Sequence, residues 1–182
     1  MPTIIHGFDW PDRVVVGAVE ELGSRSFYLQ ARTGRRIASV ALEKEQSALL
    51  AEKIEEILDE LMDQQGNPAS VPMDTPIELV DNDPLEQPVD AEFRIGVMSL
   101  GWDPSTAQLV IKAYPLVLAE EGATDQIETE PTEMMLVRIP VGTARAFAKR
   151  TLEVVGAGRS ICSLCGTPID PEGHVHARRD DL

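Results

Sequence analysis

The chain has 182 residues, 43% of them hydrophobic and 4% aromatic, with a formal net charge of -15, enough apolar mass for one compact domain or two small ones. No positively charged start leads into an apolar run, and no apolar run approaches the roughly 20 residues that a membrane helix needs. Two cysteines separated by two residues exclude a secreted disulfide framework, so the expectation is a cytoplasmic protein without a membrane segment.

The first recognisable stretch, HGFDWPDR at residues 6–13, reads as a turn before the first strand. It also holds His6 near Asp9 and Asp12, a histidine and carboxylates of the kind that do acid–base work. RVVVGAV and SFYLQAR follow, rich in β-branched and aromatic residues and separated by the turn signal Leu22-Gly23-Ser24, and are predicted strands. SVALEKEQSALLAEKIEEIL begins as a third strand and turns to helical periodicity, with Leu50, Ile54, Ile57, Leu58 and Leu61 in one apolar stripe. Residues 1–63 therefore form a first β-β-β-α unit. Arg32, Arg35 and Arg36 surround its Thr33-Gly34 turn, a candidate anion-binding tip for phosphate or an acidic protein surface; the plainer reading is a solvated face covered by acidic loops.

Residues 63–92 carry eight acidic side chains, five prolines and no Lys or Arg, and residues 115–135 carry six more acids, again without a base. These two segments account for 14 of the 15 net negative charges. Like charges with proline resist compact packing, so both read as long solvated connections, partly disordered: one at 64–92, the other at 115–135. A surface this acidic argues against direct contact with nucleic acid and leaves acidic mimicry of it as a separate idea.

Residues 93–158 repeat the first pattern as FRIGVM, QLVIKAY and LVRIPVGTARAFAKRTLEVV. Gly17 falls opposite Gly96 and Ala31 opposite Ala113, and residues 39–58 align with 136–155 without a gap, pairing Val40 with Val137, Leu42 with Ile139, Leu50 with Phe147, Ala51 with Ala148, Ile57 with Val154 and Leu58 with Val155. The expectation is an internal duplication. One such unit has too small a sheet face to bury alone, so the predicted fold is α+β: two β-β-β-α units joined in a six-stranded antiparallel sheet with both helices on one face. Arg145, Lys149 and Arg150 form a second basic cluster on the second helix, which Gly156 and Gly158 end.

Residues 159–182 are an appendage. Cys162-x2-Cys165 sets two thiols on one tight turn, and His174 and His176, one residue apart, point to the same side of an extended strand. Thiolate and imidazole in a set of four suit tetrahedral Zn²⁺, and a closed Cys2His2 set makes the zinc structural. A solvent-facing dithiol is the competing reading. No phosphate loop, nucleophile elbow, HExxH or dinucleotide fingerprint is present.

The stretches GAVEELGSRSFYLQAR, VALEKEQ and CSLCGTPIDPEGHVH together resemble an actinobacterial family of uncharacterised proteins classed as a domain of unknown function. That family usually ends in a CPLCG turn followed by DPEGH-x-C, which the resemblance maps onto Cys162, Cys165, His174 and the position of His176; Ser163 stands here for proline, and His176 where cysteine is common. The resemblance implies a cytoplasmic bacterial protein whose gene neighbours include a phosphatidylinositol-kinase-like protein and a phosphoglycerate-mutase-like phosphatase, either of which would be a partner.

The leading expectation is a zinc-binding adaptor or regulatory protein that acts through protein–protein contacts rather than catalysis. The alternatives are an enzyme or enzyme subunit that holds a phosphorylated or nucleotide ligand with Arg32, Arg35 and Arg36, and an acidic nucleic-acid mimic.

Overall fold

The computed structural model describes residues 4–21, 24–116 and 133–157. Along the chain lie β1 (Ile4–Asp9), β2 (Arg13–Glu21), β3 (Ser24–Thr33), β4 (Arg36–Leu42), α1 (Lys44–Asp63), β5 (Ala91–Asp103), β6 (Gln108–Pro115), β7 (Glu133–Pro140) and α2 (Val141–Ala157). All seven strands join one sheet in the order β1-β7-β6-β5-β4-β3-β2. No helix among the described residues is long and apolar enough to cross a membrane.

The expected α+β class holds, with two helices beside one sheet, but the sheet is mixed and has seven strands. Two pairings differ from the antiparallel expectation. β4 and β5 run parallel, because α1 and the connection after it carry the chain back to the end from which β4 began. β1 is an additional strand lying parallel to β7, with His6 opposite Met135 and Phe8 opposite Val137. The stretch read as a turn is therefore a strand up to Asp9, and only residues 10–12 turn, with Trp10 at a φ of 55°.

Alternation divides each strand between two faces. Val14, Val16, Phe27, Leu29, Ala31, Ala38, Val40 and Leu42 share one core with Leu109, Ile111, Met135, Val137 and Ile139. Against that face pack Leu50, Ala51, Ile54 and Leu58 of α1 and Ala144, Phe147 and Ala148 of α2. The start of α1 is fixed locally: Glu43 N donates to Gln46 Oε1 at 2.7 Å, and Gln46 Nε2 donates onward to Ile95 O in β5 at 3.1 Å.

The two ends of the sheet approach each other. β1 and β2 stand at opposite edges of the strand order, about 29 Å apart if the sheet were flat at the usual strand spacing, yet only residues 10–12 join them, a link that spans at most about 14 Å. The sheet therefore curls around the helices. Asp12 N donates to Arg32 O at 2.8 Å, and the Arg36 guanidinium donates to Gly7 O and covers the Phe8 ring at 4.3 Å. The first extends the β2–β3 ladder, and the Arg36 contacts bring the β3–β4 tip back to β1.

The acidic connection at 64–92 is bound to this body rather than solvated along its length. Arg145 Nε on α2 donates to Pro72 O at 3.1 Å, and Val71 is buried in the core. The chain then passes the β2 edge at Asp81 and crosses the outer face of the sheet, where Leu85 is buried over Gly17. Gln30 clamps it from both sides: its Nε2 donates to Glu86 O at 3.1 Å and its Oε1 accepts from Glu86 N at 2.9 Å. The connection is a strap around one edge of the sheet.

Candidate functional site

The four expected metal ligands, Cys162, Cys165, His174 and His176, lie outside the described residues. The arginine tip lies within them. Arg32 and Arg36 fall on opposite faces of the β3–β4 hairpin, because Arg32 pairs with Ile37 and Thr33 with Arg36. Arg32 Nε lies 3.1 Å from Glu86 Oε2 on the strap, an ion pair too bent to be a hydrogen bond. Arg36 is engaged by Gly7 and Phe8 on the helix side, and Arg35 is exposed at the turn. The three guanidinium groups do not converge on one point.

The basic cluster on α2 is divided in the same way. Arg145 reaches across to Glu55 and Asp59 of α1, 3.2 Å from the latter, while Lys149 is exposed. Arg150 Nε donates to Val16 O at 3.0 Å, and its Nη1 donates to Asp81 O at 2.7 Å and lies 3.3 Å from Asp81 Oδ1. Arg13 grips the same carboxylate from the other side, Nε to Oδ2 at 2.7 Å and Nη2 to Oδ1 at 3.1 Å, and also donates to Asp83 O and Pro84 O.

Two guanidiniums on one carboxylate set the protonation states of this edge. Hydrogen bonding from Arg13 holds the Asp81 carboxyl below the usual carboxylate range, and the same bond raises Arg13. Burial is the largest influence on Arg150 and lowers it, though a guanidinium stays protonated throughout the physiological range. With Phe147 and Leu79 these groups line a small cleft under the strap. Apart from the Arg150 Nε bond to Val16 O, which ties α2 to β2, the polar contacts of Arg13 and Arg150 fix the strap to β2 and α2.

His6 meets neither of its expected neighbours. Asp9 Oδ1 accepts from Gln108 Nε2 at 2.8 Å, and Asp12 Oδ2 accepts from Gly34 N at 2.7 Å. Instead His6 Nε2 lies 3.0 Å from Glu133 Oε2 at the start of β7, and Glu92 at the start of β5 joins them. One ligand atom of each residue lies within 4.8 Å of the others. The Phe93 ring stands 6.4 Å from the imidazole. Local sequence could not reveal this group, since strand pairing assembles it from three distant stretches; the only signal was a histidine on the inward-facing parity of a short strand.

A family model described as a protein of unknown function, DUF3090, matches residues 6–176. No curated protein and no solved structure matches the chain.

Proposed function

The chain belongs to the DUF3090 family, and within it we propose a zinc-binding adaptor or regulatory protein that works through protein contacts rather than catalysis. The observation that carries this reading is the tail's donor set: Cys162, Cys165, His174 and His176 combine two thiolates with two imidazoles, the chemistry of a closed structural zinc site. The family match runs to residue 176, so all four fall inside the matched span. A body whose buried arginines hold a strap in place is suited to carry such a knuckle as a scaffold. The partner to seek first is a bacterial kinase-like or phosphatase-like protein in the cytoplasm.

The competing readings find less support. A phosphate site at the hairpin tip needs Arg32, Arg35 and Arg36 together, and two of them are engaged on opposite faces. Mimicry of nucleic acid needs free carboxylates, and Asp81 and Glu86 face arginines of the body.

We also read the body as a tandem duplication. At the offset that aligns residues 39–58 with 136–155, the inward-facing positions of strand and helix largely coincide. Ser47 with Ala144, Leu50 with Phe147, Ala51 with Ala148 and Ile54 with Thr151 are all buried, as are Val40 with Val137 and Leu42 with Ile139. Each half runs as an antiparallel three-strand meander followed by a helix.

Metal analysis of purified full-length protein tests the zinc reading: about one equivalent per chain is expected, reduced to background by Cys162→Ser with Cys165→Ser. Metal-free protein with normal folding and free thiols would refute it. Affinity purification from the native cell with the same pair of proteins tests the adaptor role, which requires that partners depart when the cysteines do.

A further inference from the structure

We propose that His6, Glu92 and Glu133 form a second metal site, selective for a hard or borderline divalent ion of the Mn²⁺ class and separate from the cysteine-containing tail. The three residues sit at the starts of β1, β5 and β7, and the curl of the sheet brings one ligand atom of each within 4.8 Å of the others. An imidazole nitrogen with two carboxylate oxygens is a donor set that oxygen-preferring divalent ions accept and that lacks the sulfur favoured by softer ones.

The spacing already fits coordination. Ligand bonds of about 2.1 Å at right angles place neighbouring donor atoms about 3 Å apart, and His6 Nε2 lies 3.0 Å from Glu133 Oε2. Glu92 is exposed, so its side chain can close the third position by rotation alone.

Electrostatics points the same way. Two carboxylates close together repel, and among the described residues neither Glu92 nor Glu133 has a Lys or Arg ion-pair partner; His6 is the one basic group recorded with them. Elsewhere in the body acids as buried as Glu133 are matched with arginine, as Asp81 is by Arg13 and Arg150 and Asp103 is by Arg138. At this opening the compensating charge is missing from the side chains. A divalent ion supplies it, with water filling the remaining positions.

The test is Mn²⁺ binding to full-length protein, followed by electron paramagnetic resonance of the free ion and by calorimetry. One Mn²⁺ per chain is expected, with affinity lowered at least about tenfold by Glu92→Gln and by His6→Gln, since each removes a ligand. The double variant Cys162→Ser with Cys165→Ser should bind Mn²⁺ as the natural chain does, which separates this site from the zinc tail. Because Glu92 is exposed, its variant keeps the fold, and circular dichroism verifies that. No saturable Mn²⁺ binding, or binding that both single variants leave unchanged, overturns the site.

Discussion

Arg150 Nε lies 3.0 Å from the backbone oxygen of Val16, so a helix side chain supplies the edge strand β2 with a hydrogen bond that a neighbouring strand would otherwise provide. An open edge invites pairing with another chain. Here the guanidinium and the strap cover it. Arg150→Met keeps much of the apolar stem but leaves the Val16 carbonyl and Asp81 with one donor fewer, and should cost about 2 kcal/mol. The urea midpoint should fall, and limited proteolysis should cut within residues 64–90 sooner than in the natural chain. An unchanged cleavage rate there would mean that Arg150 does not hold the strap.

Gly17 and Leu85 form a reciprocal fit. A Cβ on residue 17 would stand 2.5 Å from Leu85 Cγ, so Gly17→Ala must push the leucine off the sheet, at about 1–3 kcal/mol. Leu85→Ala should cost about 2 kcal/mol by emptying the same place. The double variant should lose less than the sum, with a coupling of about 1 kcal/mol. Strict additivity in a double-mutant cycle would disprove the contact.

The strap should also respond to acid. Arg13 holds the Asp81 carboxyl below its ordinary value, so the ionised form binds more strongly in the folded chain than in the unfolded one. The stabilisation is complete above the ordinary aspartate range of about 3.9 and is lost as pH falls through the lower folded value. Asp81→Asn should therefore cost roughly 1 kcal/mol at neutral pH and progressively less below about pH 4. Urea titrations of both proteins across pH 3 to 7 measure this difference, which would have to stay constant for the ion pair to be irrelevant.

The tail should be separable from the body. Among the described residues the core closes on itself with Val154 and Val155 of α2 packed at its edge, so Cys162→Ser with Cys165→Ser should remove the bound zinc while changing the unfolding free energy of the body by less than about 0.5 kcal/mol. A cooperative loss of the whole fold on chelation would instead make the zinc part of the core.

The sequence pattern revealed what local periodicity encodes and little of what long-range pairing decides. The alternation in SFYLQAR turns Phe27, Leu29 and Ala31 inward in the expected strand, and of the expected α1 stripe Leu50, Ile54, Leu58 and Leu61 are buried while Ile57 is half-buried. β1 escaped because Trp10-Pro11-Asp12 is a strong turn signal and the partner that makes residues 4–9 a strand begins at Glu133. The strap escaped for a related reason. Prolines and acids dominate its composition, while its attachment rests on single residues such as Asp81 and Leu85, whose partners Arg13, Arg150 and Gly17 are distant in sequence. The His6, Glu92 and Glu133 group follows from the β1–β7 pairing, so missing the strand meant missing the site.

The pairing of β1 with β7 also bears on how the chain is made. Of the seven described strands β1 is made first, yet its hydrogen-bonding neighbour β7 is made last, Ile4 lying opposite Glu133, whereas β2, β3 and β4 find theirs in consecutive hairpins. Contacts so distant in sequence form late and slowly, and segments emerge at about 5–20 residues per second. During synthesis, then, residues 4–9 must wait with their apolar side chains unmatched until β7 has emerged, and the sheet can close only after nearly the whole body has been translated.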